Sequence, residues 1–173
     1  PLLPGVRHED TAFFSDVCGQ GPTSQNILCV GGYAQDQRHY PTATAEPGSV
    51  TTTFPYSRVP GRRGSGQIEA TGFSVPKGTT KFWADHLKRH KVENGGVQER
   101  FGQAFVRLKH PSGLQFEVME EPHDKRVGWT TEQISSDVTN RGFHGPVLSV
   151  REVGETERFF VDALGFRKTG VDG

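Results

Sequence analysis

Histidine and carboxylate are the side chains of this chain best suited to hold a metal or move a proton, and their spacing separates the candidates. His86 and His90 lie four residues apart within Thr79–His90, a spacing that puts two imidazoles on one helix face, as in zinc-binding helices. Lys88, Arg89 and Lys91 surround them and no acidic residue completes a site, so the pair reads as a solvated basic face. His8, His39, His110 and His123 stand alone in polar or turn contexts. Glu117 is different. Apolar and polar residues alternate in Leu114-Gln-Phe-Glu-Val-Met-Glu120, so Leu114, Phe116 and Val118 face one way and Gln115, Glu117 and Met119 the other. Glu117 therefore points into whatever the sheet's second face encloses. In Gly142-Phe-His-Gly-Pro-Val-Leu-Ser-Val150 the same alternation turns His144 toward the helix side.

Other chemistries find less support. Ser112 and Ser149 lack a nucleophile elbow, and Cys18 and Cys29, the only cysteines, form neither a CxxC site nor a disulfide framework and read as free thiols. Arg58, Arg62 and Arg63 among Gly61, Gly64 and Gly66 look like a phosphate loop, but no Lys-Ser/Thr follows and a strand comes next. A connector is the better reading. The 20 basic and 20 acidic residues balance, so no global field draws the chain to nucleic acid or an anionic membrane, and a small molecule is the expected partner. No apolar run is long enough to span a bilayer and Pro1–His8 lacks a signal-peptide layout, which leads us to expect a cytoplasmic protein. The chain's 173 residues fit one domain or a domain plus a fragment.

Those residues need elements to position them. Gly66–Val75 reads as a strand, Pro76–Gly78 as a turn and Thr79–His90 as a helix whose apolar stripe is Phe82, Trp83 and Leu87. Gln103–Lys109 alternates, with Ala104, Val106 and Leu108 on one face and Phe105, Arg107 and Lys109 on the other; His110-Pro-Ser-Gly113 is a tight turn into Leu114–Glu120. The opening is then restated. Gly142–Val150 is a strand, Arg151–Gly154 a polar turn, and Glu155–Leu164 a helix with Thr156, Phe160 and Leu164 on its stripe and Gly165 as C-terminal cap.

Strand, helix, short strand, strand, Pro-Ser-Gly turn and a strand ending Phe-Glu-Val resembles the module of the vicinal oxygen chelate superfamily, which includes glyoxalases, extradiol dioxygenases and bleomycin-resistance proteins. The closer resemblance is to its glyoxalase-like ring-cleaving dioxygenases, which open hydroquinone or catechol rings. It is carried by Pro47-Gly-Ser-Val50, Thr53-Phe-Pro-Tyr56, Gly61-Arg-Arg-Gly-Ser-Gly-Gln67, Phe82-Trp83, Glu99-Arg-Phe-Gly102, Pro111-Ser-Gly-Leu114, Arg141-Gly-Phe-His-Gly145 and Leu164-Gly-Phe166. The fold implied is α+β, built of βαβββ modules, with one complete module and partial flanking modules. Residues 1–50 would be a degenerate remnant of a first module, 51–122 the complete module, 123–140 a linker and 141–173 the βα start of the next.

Resemblance fades between Cys18 and Ala45, where the text is polar with little strand or helix periodicity. A shifted reading frame, later compensated, and a divergent loop of similar length both account for it. The absence of an initiating Met places the expected start upstream, and after Gly170 the chain stops where the family continues through further strands.

The resemblance also implies a cofactor, Fe(II) or Mn(II), held by two histidines and one carboxylate with open positions for an aromatic diol and O2. In the resembling enzymes one His comes from the first strand of the first module, and the other His and the Glu from the fourth, neither represented here. At the pseudo-equivalent places Ala70 and Gly145 occupy the ligand-His positions, Glu117 keeps a ligand type, and His144 lies one residue out of phase. Glu117 and His144 are thus the candidate metal ligands. The leading expectation is a ring-cleaving dioxygenase family member acting on an aromatic diol and O2, incomplete in its metal site; the second is a metal-free small-molecule binder of the bleomycin-resistance type. A glyoxalase-type isomerase, needing four ligands, ranks last. Exposed module edges and the helix face of Phe159, Phe160 and Leu164 lead us to expect self-association.

Overall fold

The computed structural model describes residues 11–21, 24–30, 33–53 and 62–172. His8, Arg58, Gly61 and the side chain of Cys29 lie outside the described residues.

Alternating segments pair into a five-stranded sheet in the order β5-β6-β7-β4-β8: β4 is Gln67–Val75, β5 Asn94–Arg100, β6 Gln103–Lys109, β7 Gln115–Glu120 and β8 Phe143–Ser149. β4 runs parallel to β7 and antiparallel to β8, while β5, β6 and β7 form antiparallel pairs. Helix α1, Thr80–Arg89, crosses one face, and its N-terminus is held by Glu120, whose carboxylate accepts from the Thr80 backbone N–H at 3.0 Å and the Thr80 hydroxyl at 2.8 Å. An anion there satisfies orphan amides and complements the helix dipole. Trp83 and Leu87 of the stripe are fully buried and Phe82 packs at their edge. Phe73, Val75, Val106, Leu108, Phe116 and Val118 meet them from the sheet.

Three corrections follow. The polar stretch before Ala45 is structured: β1 (Ser24–Val30) and β2 (Tyr33–Tyr40) form an antiparallel hairpin, and β3 (Thr51–Thr53) pairs with β2 in a separate three-stranded sheet. Thr51–Thr53 therefore lie outside the complete module, which begins at Gln67 rather than at residue 51. Leu114 does not join the core but is 45% exposed, because strand pairing starts one residue later at Gln115.

The segment read as a linker over 123–140 packs tightly. Ile134 and Asn140 are fully buried, the Trp83 indole donates to the Val138 carbonyl at 3.1 Å, and Asn140 donates to the Cys18 carbonyl at 3.0 Å. Arg126 ties three parts together, pairing with Asp124 at 2.7 Å and donating to the carbonyls of Gly48 and Phe143. Burial alone would raise the Asp124 carboxyl, yet the Arg126 hydrogen bonds hold it well below the usual carboxylate range. Helix α2 (Val153–Arg158) starts two residues before the expected Glu155 and widens into a π-helical turn over Phe159–Ala163, with Gly165 at φ 71° as its cap. Phe159 and Leu164 on its surface are exposed.

His86 is not on a solvated face. It is fully buried against the N-terminal turn Phe13–Val17, with Nε2 on the Asp16 carbonyl at 3.1 Å and Nδ1 buried without a hydrogen-bond partner. Burial and the nearby His90 lower its pKa, outweighing the pull of the Asp16 carbonyl. The unfolded imidazole takes its proton near the ordinary 6.5, the folded one only at lower pH. The sign follows: stability is full above about pH 6.5 and declines as pH falls below it. Thermal melts between pH 8 and pH 5 should show this decline, and His86→Gln should flatten it; an unchanged slope would refute the assignment.

Candidate functional site

The sheet face opposite α1 forms a cup. Strand alternation sends Phe116 and Val118 to the core and Glu117 and Met119 into the cup, as the sequence pattern predicts, and Glu117 is fully buried there. β6 places Arg107 directly opposite Glu117, and the end of β5 brings Arg100 alongside. Arg100 donates from Nη2 to Oε2 at 2.7 Å and from Nη1 to Oε1 at 3.3 Å; Arg107 donates from Nε at 2.9 Å and Nη2 at 2.6 Å, both to Oε1. Arg107 also reaches Glu69 at 3.4 Å. Burial would push the Glu117 carboxyl up, but the hydrogen bonds and charges of the two guanidiniums overcome it and hold it below the ordinary value.

A cavity of about 410 Å³ opens beside this cluster, lined by Arg100, Phe101, Gln103, Met119, His144 and Pro146 among others. His144 borders it because the alternation in β8 is broken: Phe73 pairs with Phe143, then Gly72 with Gly145, and His144 is the extra residue of a β-bulge. Phe143 stacks on Phe73 on the helix side at 5.4 Å, while His144 is exposed rather than turned to the core. The structure thus brings Glu117 and His144 to one cavity.

Their chemistry is nonetheless unsuited to a divalent cation. Glu117 already receives four hydrogen bonds from cationic donors, and the residue paired with both Glu117 and Gly145 is Gly72. A Cβ on Gly72 would come within 2.9 Å of the Gly145 carbonyl, so no ligand side chain fits there, and Ala70 lies further along β4. Among the described residues no group of three His, Cys, Asp or Glu side chains converges. The residues present do not fit Fe(II) or Mn(II).

His110 joins the core, its ring edge-on to Phe13 at 4.4 Å and its Nδ1 accepting from the Ser112 backbone N–H at 3.0 Å. Arg63 donates to the Gly113 carbonyl, consistent with a connector. Cys18 is a buried free thiol whose pKa burial raises, so it is no ready nucleophile. Among the described residues no helix is long and apolar enough to cross a membrane. The residues that sequence reasoning missed are Arg100 and Arg107. The signal for Arg107 was present, since alternation puts it on the same face as Glu117.

One complete βαβββ run, whose first strand β4 pairs antiparallel with the edge strand β8 that opens a second βα unit, is the fold of the vicinal oxygen chelate superfamily. The fold recurs in a glyoxalase family protein from Enterococcus faecalis at TM-score 0.53 and 13% identity, covering 65% of this chain and 87% of that one. Within the superfamily the likeness is to ring-cleaving dioxygenases. The chain is 33% identical over 176 residues to the chlorohydroquinone/hydroquinone 1,2-dioxygenase of Sphingobium indicum, covering 99% of this chain and 55% of the relative. It is 29% identical over 174 residues to the putative ring-cleaving dioxygenase MhqO of Bacillus subtilis, covering 99% and 54%. A crystal structure of a putative dioxygenase from Bacillus subtilis superposes at TM-score 0.86 with 27% identity, over 99% of this chain and 55% of that one. The chain spans about half the length of these relatives. No family model matches it.

Proposed function

We propose that this chain is the scaffold portion of a ring-cleaving dioxygenase that opens an aromatic diol with O2. The observation that carries the reading is 33% identity to a hydroquinone dioxygenase across 99% of the chain. Fe(II) or Mn(II) would supply the activation of O2 in such an enzyme, but the cup of β4, β7 and β8 is not where this chain would hold it. What these residues do is build a rigid sheet: Arg100, Arg107 and Glu117 fill with an ion cluster the place a metal would need, and Trp83 locks the helix onto the core. The test is a chimera in which this chain replaces the matching segment of the Sphingobium enzyme. It should still consume O2 with hydroquinone, and a folded but inactive chimera would count against the reading.

A second reading, metal-free binding of a small molecule, is favoured by one observation, the open cavity beside the arginine-clamped carboxylate.

A further inference from the structure

We propose that the cup bounded by β4, β7, β8 and the β5–β6 hairpin binds, without metal, a small aromatic molecule carrying an anionic oxygen, of which benzoate is the simplest. The inference rests on the second reading above and gives it a ligand class.

The cavity of about 410 Å³ falls in the size range of small-molecule sites. Met119 and Pro146 give it apolar wall, and its lip is an aromatic ring in an unusual setting. Arg100 pairs with Gln103 across the hairpin, so Phe101 and Gly102 form a two-residue turn with φ of 52° and 74°. Such turns favour Asn-Gly or Gly-Gly, because a side chain at positive φ is strained. Phe101 is nevertheless there, 57% exposed at the cavity mouth rather than packed in the core. Strain of this kind at a cleft is characteristic of ligand contacts.

The polar side of the cup then selects the ligand's charge. A guanidinium carries five N–H donors. Arg100 spends two on Glu117 and lays one face over the Phe105 ring at 4.8 Å, which leaves three donors on a side chain 25% exposed. Glu117 is fully buried and accepts four bonds from the two arginines, three at Oε1 and one at Oε2, so little acceptor capacity is left at the floor of the cup. His144 at the rim adds a ring nitrogen, while the Gln103 amide is turned to the Glu120 carbonyl and the Glu121 carboxylate. A flat ring against Phe101 with a carboxylate or phenolate oxygen toward Arg100 matches both sides.

The experiment is isothermal titration of benzoate into the purified chain, with and without EDTA, alongside Phe101→Gly and a cyclohexylamine control. Benzoate should bind equally in EDTA, cyclohexylamine should give no heat, and Phe101→Gly should weaken benzoate by about tenfold. Because glycine relieves the positive φ, that variant should melt no lower than the parent, so lost binding is not lost fold. Absence of benzoate heat, loss of binding in EDTA, cyclohexylamine binding, or an unchanged affinity in Phe101→Gly each overturns the proposal. None of these touches the chimera's O2 consumption, so this inference and the dioxygenase reading fail separately.

Discussion

Replacing Glu117 with Ala should destabilise the fold by about 3 kcal/mol, read as a lower urea midpoint at unchanged slope. The carboxylate is fully buried and is the shared counter-ion of Arg100 and Arg107. Removing it leaves two guanidiniums side by side with, among the described residues, Glu69 at 3.4 Å from Arg107 to offset them. Breaking a buried pair costs roughly 3–5 kcal/mol because a charge is left uncompensated. The arginines are 25% and 31% exposed, so water recovers part of the penalty and the lower end applies. Replacing all three residues with apolar ones of similar volume should recover most of the loss, since an intact buried ion cluster rarely outperforms good packing. If Glu117→Ala melts like the parent, the cluster carries no structural weight and the case against a metal ligand there weakens with it.

Acid should act on the same cluster in a defined direction. The folded pKa of Glu117 lies below its ordinary 4.5, so the stability it contributes is present above about pH 4.5 and is lost as pH falls through the folded value. His86 acts at higher pH, below about 6.5, so its loss comes first.

Much of the module was readable because its side chains alternate or repeat at helical spacing. β6 covers Gln103–Lys109 as its pattern predicts, β4 and α1 differ by a residue at their ends, and Glu117 lies on the expected face. The hairpin over Ser24–Tyr40 was not readable. Its second strand is mostly polar and its first carries one apolar run, Ile27–Val30, with no period-two pattern, so pairing rather than side-chain pattern is what marks it as sheet. His86 and His110 were misjudged for a related reason. Their immediate neighbours are basic or turn-forming, but their burial comes from Asp16 and Phe13, far back in the chain. His144 failed on a bulge, which shifts alternation by one residue and leaves no mark in composition. The candidate site was half legible: the carboxylate was found, and the arginines that change its chemistry were not.

Trp83→Ala should have the largest effect of any single substitution here, a loss of about 3–5 kcal/mol. The indole is fully buried on α1 and touches three separate parts of the chain. It meets Phe82 and His86 edge-on at 5.8 and 5.7 Å, its Nε1 donates to the Val138 carbonyl at 3.1 Å, and its ring faces Gly19, where a Cβ would lie 3.7 Å from it. Truncation would open a cavity at the junction of the helix, the N-terminal turn and the 123–140 segment, and leave the Val138 carbonyl without its donor. Trp83→Phe keeps most of the ring and gives up that hydrogen bond, which costs about 1–2 kcal/mol through the carbonyl left unpaired. The two variants therefore separate packing from hydrogen bonding. Urea unfolding can be followed through Trp129, which remains in both, and the expected order is Ala well below Phe below the parent. A Trp83→Ala variant that loses less than about 1 kcal/mol would mean that the three parts are held together by the Arg126 and Asn140 hydrogen bonds instead.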